Sequence, residues 1–274
     1  MSAGQPITII TGASAGIGME LARIFAREGH ALLLVARRGE RLAALADEIA
    51  QSSQKASRSC HRMPARPAIM TLDLAEVNAA DAIDHWLGEN GYRPHYVVNN
   101  AGFGLVGRAA KLSLAEQVAM VDVNVRALTE LSLKWVDSLR DQRGGILNVA
   151  SVASFLSGPG SAVYYASKAY VLSFTEALHR ELRPEGVRVT ALCPGPVPTE
   201  FQARAGIPAQ EASGILSMPA VRVAEAGYRG LMEGRRLVIP GALNKVITLL
   251  PRLVPRGLMM EGVYARQRHR TREV

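Results

Sequence analysis

The chain has 274 residues, 48% of them apolar and 20% charged, which is enough for one large α/β core and gives no collagen-like or disordered bias. Two cysteines, Cys60 and Cys193, are too few for a disulfide framework and point to a reducing, cytoplasmic setting, and the six histidines show no metal-ligand spacing. The net charge of +8 is scattered without interleaved aromatics, which sets nucleic acid aside; residues 1–5 carry no secretory signature, and no apolar run reaches the roughly 18 residues of a spanning helix.

Short apolar runs alternate with longer helical patterns. Strands are expected at 7–11, 31–36, 68–72, 96–99, 145–150, 187–192 and 237–240. They lack polar/apolar alternation, as strands buried on both faces do. Helices are expected at 16–28, 40–51, 75–89, 113–140, 162–183 and 221–233, the fifth ending at Pro184 and Gly186. This order predicts a parallel sheet with helices on both faces. Residues 51–67 are polar and read as an extended surface loop. Beyond 241 comes a basic amphipathic extension with apolar Val246, Leu249, Leu250, Leu253 and Val254 and six arginines from Arg252 onward. Two readings of it stay open: packing on the domain or a neighbouring subunit, and peripheral docking at a membrane surface.

The segment Thr11-Gly12-Ala13-Ser14-Ala15-Gly16-Ile17-Gly18 leaves the first strand and opens a helix. Gly12 permits the sharp turn, Gly16 lets backbone approach a pyrophosphate, and Gly18 allows close helix–strand packing. The helix N-terminus then offers free N–H groups to phosphates. The second strand ends in Arg37 and Arg38, where an acidic residue would hold a ribose 2′-hydroxyl. Arginine there favours a 2′-phosphate, hence NADP over NAD, with the Ser14 hydroxyl as a further donor.

Tyr164 and Lys168 lie four apart in a helical pattern and share one face. A phenol ionises near pH 10, and a neighbouring ammonium is expected to pull it down towards the range a general acid/base needs. Ser151 sits just past the fifth strand, at the carboxyl edge where open α/β sheets bind ligands, and can hydrogen-bond a substrate oxygen. Asn124 falls inside the long fourth helix pattern, where an asparagine needs a partner.

Over residues 6 to about 241 the sequence resembles the short-chain dehydrogenase/reductase family. Five motifs match in order: the 11–18 turn, Asp73-Leu74, Asn99-Asn100-Ala101-Gly102, Ser151 followed by Tyr164, and Pro194-Gly195 after the sixth strand. The resemblance implies a doubly wound Rossmann fold over 1–241, with seven parallel strands in order 3-2-1-4-5-6-7, a substrate loop near 196–219, and assembly as a homodimer or homotetramer. It implies an NAD(P)-dependent enzyme acting on CH–OH or C=O groups, reducing a ketone or aldehyde or running the reverse. Ser151, Tyr164 and Lys168 would be catalytic, with Asn124 holding a water in a relay to Lys168. Cofactor contacts would come from the 11–18 turn, Arg37, Arg38, Asp73, Leu74, Asn100, Ala101, Gly102, Tyr164, Lys168, Pro194, Gly195, Val197 and Thr199, the last on the nicotinamide carboxamide. Ala15 departs from members with a basic residue in the turn, leaving Arg37 and Ser14 as the main 2′-phosphate contacts.

Structural alternatives exist one by one: Asp73 can cap a helix, Asn100 can make a turn, and Asn124 can satisfy a buried backbone group. Their joint order argues for a site. The competing functional reading is a catalytically silent NADP-binding regulator on the same fold. The substrate is expected to be a small, apolar carbonyl or alcohol compound, walled by Phe103, Leu105, Phe155, Leu156, Phe201, Ile207, Ile215 and Leu216.

Overall fold

The computed structural model describes residues 4–56, 66–206 and 214–267. The middle of the 51–67 segment, Ile207 and the arginine-rich end of the tail lie outside the described residues. Seven strands, β1 (Gln5–Thr11), β2 (Leu32–Ala36), β3 (Ala68–Thr71), β4 (Tyr92–Asn99), β5 (Gly145–Val149), β6 (Arg188–Leu192) and β7 (Leu237–Val238), pair in parallel. Their order is β3-β2-β1-β4-β5-β6-β7, the Rossmann order the sequence implied.

The continuous apolar runs follow from burial on both sides. Ile10, Leu34, Val98, Leu147 and Leu192 point to one face, covered by α1 (Gly16–Arg27), α2 (Gly39–Ala56) and α9 (Ala220–Met232). Alternate residues of the same strands, Ile9, Leu33, Val97, Ile146 and Val189, point to the other, covered by α3 (Ala79–Glu89), α5 (Leu128–Leu133), α6 (Val136–Asp141) and α7 (Ala162–Leu182).

Several elements differ from expectation. The single helix expected over 113–140 is α4 (Leu114–Val121), a π-helical turn (Asp122–Ala127), α5, a break and α6. At the break Trp135 leaves helical geometry (φ −119°, ψ 26°), and its indole Nε1 donates to Asp84 Oδ1 at 2.6 Å. Strand β4 starts four residues early, at Tyr92, despite Pro94. A register irregularity opposite Ile7 and Thr8 accommodates the missing N–H there. Helix α2 runs on to Ala56, past the expected loop start, and α3 begins only at Ala79 because Asp73 turns the chain first.

The extension forms α10 (Ala242–Leu253) and α11 (Arg256–Gln267). Asn244 and Thr248 are buried, whereas Val246, Leu249 and Leu250 are exposed. Asn244 Nδ2 donates to the carbonyls of Pro240 (2.9 Å) and Leu216 (3.3 Å). No helix among the described residues is long and apolar enough to cross a membrane.

Candidate active site

The turn between β1 and α1 is built around backbone that only glycine supplies cheaply. Gly12 and Gly16 have φ of +64° and +57°. Gly18 has an ordinary backbone, but a Cβ there would drive into Asn100 Nδ2 and the Gly12 carbonyl. No side chain caps α1 at Ala15, so its first N–H groups point out of the turn without a side-chain partner. Ile17 packs partly buried against the core.

Asn100 and Thr11 stitch the end of β4 to this turn. Thr11 Oγ1 donates to Val98 O (3.1 Å) and accepts from the N–H groups of Asn100 and Ala101 (both 3.0 Å). Asn100 Nδ2 donates to the carbonyls of Thr11 (2.9 Å) and Gly12 (3.2 Å). Its side chain therefore sets the shape of the turn. Gly102 lies under Asn124: a Cβ there would be 2.8 Å from Asn124 Oδ1 and 3.4 Å from Lys168 Nζ.

At the far end of β2, Arg38 donates from Nε and Nη2 to Ser14 Oγ at 3.3 and 3.1 Å. Its Nη1, together with Nη1 of Arg41, binds the Glu200 carboxylate of α8 (Glu200–Arg204). Arg37 instead faces Asp73, Nη1 to Oδ2 at 3.6 Å. Asp73 Oδ1 also accepts from Ala75 N (3.0 Å), and Leu74 is buried. Arg38, rather than Arg37, is thus the arginine that meets Ser14.

The π-turn places Asn124, fully buried, against the strand β4 loop. Its Oδ1 accepts from Phe103 N (3.1 Å), and its Nδ2 donates to Phe103 O and Ser167 Oγ (both 3.0 Å). All three bonds go to protein groups, and two of them hold the backbone at Phe103. Gly104 in turn abuts Tyr164 and Phe201: a Cβ on it would be 3.2 Å from both rings.

Ser151 lies two residues past β5 and caps a short 3-10 turn (Val152–Phe155), its Oγ accepting from Ala153 N at 3.1 Å. That leaves its hydroxyl proton to donate elsewhere. Ser154 completes the reciprocal cap and donates to Lys168 O (2.7 Å). One turn earlier on α7, the Tyr164 ring lies 5.7 Å from Phe201 and 6.1 Å from Tyr165. Burial pushes its phenol up to about 12, opposed by the Ser151 hydroxyl. The buried Lys168 ammonium is pushed down to about 8 by desolvation and donates to Val149 O (2.8 Å). The expected lowering of the phenol by Lys168 is therefore not met: desolvation dominates, and the lowering that opposes it comes from the Ser151 hydroxyl.

After β6, the Pro194 carbonyl accepts from Val152 N (3.0 Å), Gly195 packs on Asn244, and Val197 is buried. Thr199 caps α8, reciprocally with Gln202. Sequence reasoning missed Arg41 and Glu200, which join across 159 residues, and Arg204, whose guanidinium lies 3.9 Å from the centre of the Phe103 ring. Of these only Arg41 left a local signal, three residues beyond Arg38 on a helix face. A cleft of about 450 Å³ beside the turn is lined by Ser14, Ala15, Gly16, Arg41, Thr199 and Glu200, among others.

Residues 6–208 match the family model described as short chain dehydrogenase. A sulfoacetaldehyde reductase of Chromohalobacter salexigens is 38% identical over 198 residues, 71% of this chain and 74% of that protein. A short-chain dehydrogenase from Sphingobium yanoikuyae, solved in complex with NADPH, superposes with a TM-score of 0.77 at 30% identity, over 93% of this chain and 95% of that one. A short-chain dehydrogenase/reductase from Burkholderia phymatum, solved with NAD, gives 0.76 at 26% identity, over 91% and 94% of the two chains.

Proposed function

The chain belongs to the short-chain dehydrogenases/reductases, oxidoreductases acting on CH–OH or C=O groups, and from that premise we propose that it reduces a ketone or aldehyde with NADPH, or runs the reverse, Tyr164 exchanging the proton. One observation carries this reading: a partly buried phenol beside Ser151, at the carboxyl end of β5, with Lys168 one helical turn along.

The residues fit a dinucleotide. The turn is a cradle that a side chain at Gly18 would fill, and α1 opens with uncapped N–H groups. Gly12, Ser14, Ala15, Gly16, Ile17 and Gly18 would hold the pyrophosphate, and Ser14, Arg37 and Arg38 the 2′-phosphate. Asp73 and Leu74 would flank the adenine, and Asn100, Ala101 and Gly102 would line the cleft behind β4. Pro194, Gly195, Val197 and Thr199 would border the nicotinamide, which supplies the hydride when bound.

A phenol that ionises near 12 stays protonated at neutral pH, so Tyr164 is set to donate to a carbonyl oxygen in reduction. The Ser151 hydroxyl, which also faces the phenol, would donate to the same oxygen. Lys168 would bond the nicotinamide ribose and favour the phenolate once the proton has left. Asn124 positions the loop against which the Tyr164 ring rests. Assembly as two or four copies belongs to the same reading.

The substrate walls at Phe103 and Phe201 are apolar, with one exception. Arg204 lies over Phe103 and has no carboxylate within ion-pair distance among the described residues. Together with the likeness to a sulfoacetaldehyde reductase, this favours a carbonyl compound with an anionic end. The test is NADPH consumption over paired carbonyl compounds with and without a carboxylate or sulfonate, in wild type and Tyr164→Phe. The variant should lose about 10²–10⁴-fold in turnover while binding NADPH as before. Near wild-type turnover would remove Tyr164 from the chemistry, and no turnover by either protein would leave the silent regulator.

A further inference from the structure

We propose that Glu200 is a built-in competitor for the cofactor's 2′-phosphate and that Arg41 is a further arginine of that phosphate site. One carboxylate on the substrate segment would then tune the choice between NADP and NAD. The inference rests on the NADP reading above and extends it to two residues that the family motifs do not include.

The geometry around Glu200 is that of a captured anion. Arg38 and Arg41 stand three residues apart at the start of α2, on one face. Each gives one guanidinium nitrogen to a different oxygen of the same carboxylate, Arg38 to Oε2 and Arg41 to Oε1. The remaining nitrogens of Arg38 are on Ser14 Oγ, in the glycine turn. A hydroxyl and two guanidinium groups thus converge where a phosphate attached to the adenosine ribose would be recognised, with a carboxylate standing in for its oxygens. The pair holds that carboxyl group below the usual range, as a bound anion requires.

Glu200 reaches this place from the opposite wall. It follows Thr199 directly and forms the first residue of α8, so the ion pairs cross the mouth of the cleft from the substrate segment to α2. The partners are about half exposed: 45% for Arg38, 51% for Arg41 and 52% for Glu200. Exposed ion pairs hold weakly, so a phosphate carrying up to two charges can displace the carboxylate. A ligand lacking the 2′-phosphate has no reason to do so. Arg37, held by Asp73, is the third cation at this edge.

The test is equilibrium binding of 2′,5′-ADP and 5′-AMP, which differ only in the 2′-phosphate, to the full chain and to Glu200→Gln, Arg41→Ala and the double variant. Binding is read directly, so the result does not depend on turnover. Glu200→Gln should tighten 2′,5′-ADP about three- to tenfold at roughly 0.15 M salt and leave 5′-AMP within about twofold, the gain shrinking as salt is raised. Arg41→Ala should weaken 2′,5′-ADP several-fold without changing 5′-AMP, and the double variant should bind 2′,5′-ADP more tightly than Arg41→Ala alone, because Arg38 is still relieved of the carboxylate. Unchanged or weaker 2′,5′-ADP binding in Glu200→Gln would mean that the carboxylate orients the arginines and would overturn the proposal, as would equal shifts for both probes. A wild-type protein that does not prefer 2′,5′-ADP over 5′-AMP overturns the NADP reading itself, a different result from either.

Discussion

Replacing Asn124 by alanine tests whether the π-turn exists to hold the active-site loop. The side chain is fully buried and makes three hydrogen bonds, one from Phe103 N and two to Phe103 O and Ser167 Oγ. Ser167 keeps its bond to Tyr164 O at 2.7 Å, so its loss is minor. Phe103 is itself buried, and both of its backbone groups would be left without these partners. An orphaned buried group costs about 1–3 kcal/mol, and the small void adds about 1. With both Phe103 groups orphaned the sum is about 3–7 kcal/mol, a large part of the roughly 5–15 kcal/mol that holds a typical native state. At about 2–4 °C per kcal/mol for a chain of this size, the Tm should fall by roughly 6–28 °C. Thermal and urea unfolding of Asn124→Ala and Asn124→Asp give the comparison. The aspartate variant keeps the acceptor for Phe103 N but loses both donations when ionised. Burial raises its folded pKa above the unfolded value of about 3.9, so its stability is fully present below that value and lost as pH rises through the folded pKa. Its deficit against wild type should therefore be larger at pH 7 than at pH 4. A Tm of Asn124→Ala within about 2 °C of wild type would refute the reasoning.

Gly18→Ala places a methyl group against Asn100 Nδ2 and the Gly12 carbonyl, and backbone cannot give way as a flexible side chain can. A loss of about 1–3 kcal/mol in urea unfolding is expected, together with more than tenfold weaker NADP binding; wild-type values for both would mean that the turn is looser than described. The buried His30 ring, wedged between Phe25 and Tyr96, has its pKa lowered to about 4, first by desolvation and then by His95. The unfolded chain takes up that proton near 6.5, so stability falls as pH drops from about 6.5 to 4. Allowing for partial exposure, the effect is about 1–2 kcal/mol. His30→Phe should flatten this part of the stability–pH curve, and an unchanged slope would place the acid sensitivity elsewhere.

The parts of the site that were legible in the sequence are those fixed by neighbours along the chain. The glycine turn follows from backbone sterics within eight residues, and burial on both faces follows from apolar runs such as 32–36, whereas the strand order was implied only by the resemblance that the ordered motifs carry. What was not legible depends on tertiary contact. An extra residue in the helix around Asn124 carries no periodic signature, because the widened turn is fixed by a bond to Phe103, 21 residues away. The Glu200 pairs join parts of the chain 159 and 162 residues apart. The direction of the Tyr164 shift depended on the depth of burial, and spacing to a lysine says nothing about depth.

A practical limit on rebuilding this molecule follows from Asn244. It sits past the last strand, yet its amide ties Pro240 to Leu216 and fills the space beside Gly195. A stop codon placed at the apparent end of the sheet would remove the tie to Leu216 while leaving every strand intact. Purification tags, fusion partners and truncations therefore belong beyond α10, past the buried Asn244 and Thr248.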